Sequence, residues 1–279
     1  MRFGFEVVRG CTVLVVAGLA AAGAATAASE DRWPGAAAAY LVRIDGEVRW
    51  AANDTARLKP ASLTKMMTAI LAAEALAPDD TVVVSARAAA AKGARVGLRS
   101  GMKLAAEDLV AAALLRSAND ACLALAERVA GSEQAFVARM NERAAKLGLA
   151  DTRFANACGF DAPGHFMSAR DLARLADAAL AEPRIAAIVA RESGTARAAD
   201  GRRFRFDNTN VLIGRVEGAR GVKTGWTKAA GRCLVAYAER EGTRVLVVML
   251  GAPDRWWDAV AMIESAFDDA RARRTSRRP

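Results

Sequence analysis

Three short clusters in this chain hold residue types that together could carry out acyl transfer. The first is Ser62-Leu63-Thr64-Lys65. A serine hydroxyl is a poor nucleophile until a base takes its proton, and a lysine can be that base when burial and a neighbouring cation lower its pKa. Residues three apart on a helix share one face, so Ser62 and Lys65 can come within hydrogen-bond reach. At a helix start the Ser62 N–H also lacks an intrahelical acceptor and is free to meet an oxyanion. Ser-x-x-Lys alone is a weak signal, because it equally describes an ordinary helix start. It gains weight from Ser117-Ala118-Asn119 and Lys223-Thr224-Gly225 further along. The single histidine, His165, would have to serve any Ser-His-Asp hydrolase, whereas a serine–lysine pair needs none. No C-x-x-C pair or histidine cluster offers a metal site, and no cofactor is expected.

The elements around these clusters put each at a boundary. Pro60 suits a helix entry, and residues 63–76 are rich in helix formers. Residues 36–51 read as a hairpin turning at Asp45-Gly46, and residues 81–85 as a short strand. Helical periodicity covers 105–115 and 121–130, so Ser117 and Asn119 fall in the break between two helices. Further helices are read over 132–147, from the Ser168 cap to 181, and over 184–190. After Gly201 the period changes to two, with strands over 203–206, 221–224, 233–239 and 244–250, then a closing helix over 256–273. Lys223 thus ends a strand, and Gly225 lets that backbone pass close to a ligand. Strands at both ends enclosing a helical middle give an α/β domain whose sheet receives both termini, with an inserted helical lobe.

The 279 residues carry a net charge of +9 and suffice for one large domain or two small ones. Residues 1–28 hold Arg2 and Arg9, an apolar run and Ala25-Thr26-Ala27, the pattern of a cleaved export signal, with a retained N-terminal anchor as the competing reading. The expected catalytic domain is 29–270, followed by a basic tail at 271–279. That tail has no apolar residue larger than alanine, so no stable membrane anchor is expected from it. Nucleic acid is a generic reading of its arginines, which export argues against. Beyond the leader, Cys122, Cys158 and Cys233 are an odd number that cannot all pair within one chain. Cys122 reads as a small core residue, Trp256-Trp257 as helix-to-sheet packing and His165 as part of a loop turn.

Ser-x-x-Lys, Ser-x-Asn and Lys-Thr-Gly, in that order, form the motif set of penicillin-binding proteins and class A β-lactamases. The segments Pro60-Ala61-Ser62-Leu63-Thr64-Lys65-Met66-Met67-Thr68, Ser117-Ala118-Asn119-Asp120-Ala121-Cys122 and Gly221-Val222-Lys223-Thr224-Gly225-Trp226-Thr227 resemble the D-alanyl-D-alanine carboxypeptidases more closely. Asn208-Thr209-Asn210 and Ser168-Ala169-Arg170-Asp171 share the likeness, which runs from about residue 36 to 267. It implies a β-lactamase/penicillin-binding-protein-like fold, an antiparallel sheet flanked by helices. It implies Ser62 as acylated nucleophile, Lys65 as general base and Ser117 as proton relay to the departing D-alanine. Asn119 would hold the peptide amide, Lys223 would supply positive potential, and Thr224 would bind the terminal carboxylate. Gly225 would lie beside the substrate, and the N–H groups of Ser62 and Trp226 would form the oxyanion hole. The implied partners are peptidoglycan stem peptides and covalently inhibiting β-lactams, met in the periplasm or at the cell wall. A D,D-endopeptidase that cuts D-alanine cross-links is the alternative enzyme, and a non-catalytic wall-binding protein the alternative outside catalysis. Trp226 stands where the family more often has histidine or a smaller aromatic residue. Cys158-Gly159-Phe160-Asp161 stands where many members have His-Gly-Leu-Asp. With no acidic residue placed like the deacylating glutamate of class A β-lactamases, β-lactamase activity is not expected.

Overall fold

A computed structural model describes Met1 and residues 31–276. All of the expected export leader except Met1, and the last three residues of the expected basic tail, lie outside the described residues. Strands β1 (Ala39–Ile44) and β2 (Glu47–Ala52) form the expected hairpin, with Asp45 and Gly46 both at positive φ, 51° and 93°. Two positive φ values in succession make the turn whose twist matches the flanking strands. A 3₁₀ turn (Ala61–Thr64) then leads into α1 (Lys65–Ala75). There follow β3 (Thr81–Val83), α2 (Ala86–Ala89), β4 (Lys103–Ala105), α3 (Ala106–Leu115), α4 (Asn119–Ala130) and α5 (Glu133–Lys146). The chain continues through α6 (Ala169–Ala181), α7 (Pro183–Val189), β5 (Ser193–Arg197) and β6 (Arg203–Asp207). It closes with β7 (Ala219–Thr227), β8 (Gly231–Arg240), β9 (Thr243–Ala252) and α8 (Arg255–Ser276).

The main sheet is antiparallel with strand order β2-β1-β9-β8-β7, so the first hairpin pairs with the last strand, and β7 is an edge. Its strands are apolar on both faces. Along β9, Val245, Val247 and Met249 pack toward α8, while Leu246, Val248 and Leu250 pack toward the helical lobe. Tyr40, Val42, Leu234 and Ala236 join the α8 side, and Ala39, Leu41, Cys233 and Val235 the other. A sheet covered on both faces needs both alternating sets to be apolar, which explains the unbroken hydrophobic run in β9. The helical lobe is built around α1, buried without a break from Lys65 to Ala72. A helix apolar on every side is one surrounded by protein. Its Met66 and Met67 are fully buried, and truncating either to alanine would cost about 2–5 kcal/mol.

Two expectations need correction. The strand at 203–206 is not part of the main sheet; β6 pairs with β5, which periodicity did not show, in a separate hairpin. Short strands β3 and β4 pair with each other, as the 81–85 strand reading allowed, and Leu104 of β4 also bridges Ala198. The closing helix does not end at residue 273, because α8 continues to Ser276, with Arg273 Nε 2.9 Å from an Asp269 carboxylate oxygen. Pairs at i,i+4 such as this one support a helical last turn. Among the described residues, no helix is long and apolar enough to cross a membrane.

Candidate active site

The cleft lies where the 3₁₀ turn, the α3–α4 break and edge strand β7 meet. Ser62 sits in the second position of the 3₁₀ turn rather than on α1 itself. The preceding Ala61 has φ 50°, in the left-handed region where a non-glycine residue carries strain of order 1–3 kcal/mol. Surrounding contacts impose that geometry. A Cβ on Gly225 would lie 3.1 Å from the Ser62 nitrogen and 3.0 Å from the Ala61 Cβ, so glycine lets β7 run close to the turn without displacing it. The Thr64 hydroxyl donates to the Ala61 carbonyl at 2.8 Å and lies 2.9 Å from His165 Nε2. Because His165 Nδ1 accepts from the Ala155 N–H at 3.0 Å, the ring proton belongs on Nε2, which donates to Thr64. Burial pushes the His165 pKa down to about 4, with Asp161 pulling weakly the other way. His165 is thus a neutral brace for the nucleophile's turn, a role that its reading as a loop residue had missed.

Lys65 Nζ lies 3.0 Å from Ser62 Oγ and 2.6 Å from the Cys158 carbonyl oxygen. It is fully buried, and both of these partners are uncharged. Burial holds its pKa well below the ordinary lysine value, and the charge of Lys223 adds to the effect. A neutral amine that donates to Cys158 keeps its lone pair for the Ser62 hydroxyl. The carbonyl it uses belongs to a tightly folded segment. Asn156 Oδ1 accepts from the N–H groups of Cys158, Gly159 and Phe160 at 3.2, 2.7 and 3.0 Å.

A second hydroxyl–amine pair faces the first. Lys223 Nζ donates to Ser117 Oγ at 3.0 Å and to the Thr224 carbonyl at 2.9 Å. Burial, then the nearby Arg255, lowers the Lys223 pKa to about 7. Ser117 lies between α3 and α4 as expected, at φ 62°. Asn119, expected in the same break, instead begins α4. Its Nδ2 donates to the Lys92 carbonyl at 2.7 Å, and its backbone N–H to the Ala94 carbonyl at 2.7 Å. The next residue, Asp120, takes up the other side of that loop by accepting from the N–H groups of Gly97 and Leu98, each at 2.9 Å. Thr224 Oγ1 is 2.7 Å from Thr209 Oγ1, whose own proton goes to the Leu115 carbonyl, so Thr224 donates to Thr209. Trp226 stands at the rim with 65 % of its surface exposed.

The structure therefore brings Ser62, Lys65, Ser117, Asn119, Lys223, Thr224 and Gly225 to one cleft. Sequence reasoning missed Arg255, whose Nη1 donates to the Gly225 carbonyl at 2.7 Å and the Cys233 carbonyl at 3.2 Å. It also missed that Cys122 and Cys158 form a disulfide, with Cα atoms 6.1 Å apart, leaving Cys233 free and buried. Cys122 is in the core as expected, but as half of a cross-link. Chemically, the cleft offers a hydroxyl with a depressed amine beside it, a second hydroxyl on a second amine, and a threonine hydroxyl at an edge strand. Those are the parts of an acyl-transfer site.

The profile of a family described as D-alanyl-D-alanine carboxypeptidase matches residues 25–254. Bacillus subtilis DacF, a D-alanyl-D-alanine carboxypeptidase, is 36 % identical over 238 residues, which cover 82 % of this chain and 61 % of that one. A solved D-alanyl-D-alanine carboxypeptidase from Mycobacterium tuberculosis H37Rv aligns with a TM-score of 0.80 at 30 % identity, covering 87 % of this chain and 95 % of that one. The solved DD-transpeptidase of Streptomyces K15 gives a TM-score of 0.78 at 26 % identity, covering 84 % of this chain and 97 % of that one. The chain thus spans less than two thirds of the B. subtilis relative and nearly all of the two solved chains. The fold is that of the penicillin-binding proteins and β-lactamases, as the motif set implied. This chain belongs to the D-alanyl-D-alanine carboxypeptidase family.

Proposed function

We propose that this protein is a serine D,D-carboxypeptidase that removes the terminal D-alanine from peptidoglycan stem peptides through an acyl-enzyme on Ser62. The observation that carries the reading is the 3.0 Å contact between Ser62 Oγ and the buried Lys65 amine. Lys65 takes the Ser62 proton as Oγ attacks the carbonyl of the penultimate D-alanine. The N–H groups of Ser62 and Trp226 receive the oxyanion. Collapse breaks the C–N bond, and Ser117, held by Lys223, passes a proton to the leaving D-alanine nitrogen. Water then attacks the ester and returns Ser62. Asn119 holds the peptide amide, while Lys223 and Thr224 hold the terminal carboxylate, Thr224 turning its hydroxyl proton from Thr209 to substrate. β-Lactams occupy the same site as covalent inhibitors. The enzyme works outside the cytoplasmic membrane, where its polymer lies, and leaves the cell envelope without detergent.

Product analysis tests this reading. Incubation with a stem pentapeptide is expected to release free D-alanine and leave the tetrapeptide. Conversion of purified cross-linked dimers to monomers with no D-alanine release from pentapeptide would instead make the protein the D,D-endopeptidase.

A further inference from the structure

We propose that the Cys122–Cys158 disulfide is a positioning element for catalysis, holding the Lys65 acceptor against the Ser117–Asn119 wall, so that its reduction switches acylation down. The inference rests on the reading of Ser62 and Lys65 as nucleophile and base. Cys158 contributes the carbonyl that takes a hydrogen from Lys65 Nζ at 2.6 Å. Cys122 lies on α4, one turn after Asn119, the helix that begins at the Ser117-Ala118-Asn119 wall. The bond therefore joins the two sides of the cleft, across 36 residues of sequence, at the backbone position that fixes the base. Its neighbours are equally committed. The Ala157 carbonyl accepts from the Thr68 hydroxyl of α1 at 2.6 Å, and the Ala157 N–H donates to Glu133 of α5 at 3.0 Å.

The charged groups around Lys65 make its burial matter. Lys223 faces it from β7. Carboxylates on the neighbouring elements have partners of their own, Asp120 in loop N–H groups, Glu133 in Ala157 and Arg87, and Asp161 in the Thr227 hydroxyl. Among the described residues, the amine is held by the Cys158 carbonyl and Ser62. A dithiol reductant supplies two electrons and two protons, opening the bond to two thiols while the reductant closes to its own disulfide. Once freed, the 156–160 segment admits water to Lys65. Hydration favours the ammonium form, so the base titrates at higher pH and less of it is neutral at neutral pH.

The test measures the rate of acylation by a fluorescent penicillin against pH, for oxidised protein and for protein treated with dithiothreitol, with thiols counted in each. Both cysteines are buried, so thiol counting confirms that the bond has opened. Oxidised protein prepared without residues 1–28, and so without Cys11, is expected to show one free thiol, Cys233. Reduction is expected to slow acylation at pH 7 by about tenfold or more and to move the acid limb of the profile to higher pH, with reoxidation restoring both. The double variant C122A/C158A is expected to match reduced protein and to ignore dithiothreitol, and C233A to behave as wild type. A lowered melting temperature with an unmoved pH profile would make the bond merely structural and overturn the proposal, as would three free thiols in the oxidised protein. Oxidised protein that binds no penicillin at all would count against the Ser62–Lys65 reading itself.

Discussion

Gly159 and Ala61 approach so closely that a Cβ on Gly159 would lie 1.9 Å from the Ala61 carbonyl oxygen. Gly159 is also at φ +88°, a conformation that favours glycine. The segment that carries the Lys65 acceptor is thus stacked directly on the turn that carries Ser62. Gly159→Ala must push one backbone off the other. Acylation is expected to fall by about 10²-fold, and stability by about 2 kcal/mol or more, because a displacement of about 1 Å is enough to spoil attack geometry. Penicillin acylation kinetics and urea unfolding check the two effects, and a fully active, fully stable variant would show the contact to be unimportant.

The two lysines are expected to answer differently to arginine. Lys65 must be neutral to act as a base, and arginine never is, so Lys65→Arg is expected to lose acylation by at least about 10²-fold. Lys223→Arg keeps the positive charge near Ser117 and is expected to retain more activity. Equal losses in the two variants, measured side by side, would leave the separate roles without support.

Arg255 supplies part of the positive field that lowers Lys223 to about 7. If Lys223 must be charged to hold the substrate carboxylate, KM for a pentapeptide is expected to rise as pH climbs past about 7. Arg255→Gln removes a neighbouring cation, so the Lys223 pKa rises and the KM limb moves to higher pH. A limb that stays in place would assign the pH dependence to another group.

His165 ties stability to pH. Its folded pKa of about 4 lies below the ordinary 6.5 because it is buried. Between those values the unfolded chain binds the proton and the folded one does not, so stability rises with pH across that window. The contribution is whole above about pH 6.5 and is lost as pH falls toward about 4, and its full size is roughly 3 kcal/mol. His165→Gln is expected to flatten that part of the unfolding profile and to lower acylation by loosening Thr64 and Ala61. An unchanged slope between about pH 4 and 6.5 would contradict this.

Much of the site was legible in the sequence because its residues sit at boundaries marked by period and punctuation. Ser62 follows Pro60, Ser117 interrupts two helical runs, and Lys223 ends an alternating one. The Asp45-Gly46 hairpin was legible for the same local reason. What escaped was decided by tertiary contact. The 3₁₀ turn beneath Ser62 depends on Gly159 and Gly225 from distant segments, and helix propensity carries no trace of it. Parity excluded pairing all three cysteines, but only the fold shows that Cys122 and Cys158 meet. Arg255 lies 30 residues beyond Gly225, where nothing local marks its bond to that strand. The β6 strand has the right period for the sheet, and period alone does not name a partner; β5, with Gly194 under the Phe206 ring, is what claims it.

Intact-protein mass spectrometry after exposure to a penicillin is the most direct test of a Ser62 acyl-enzyme. Wild-type protein is expected to gain the mass of one penicillin, located by peptide mapping to Ser62, while Ser62→Ala keeps its fold by circular dichroism and gains none. An adduct that persists on Ser62→Ala, or maps elsewhere in the wild type, would contradict the assignment of Ser62 as the nucleophile.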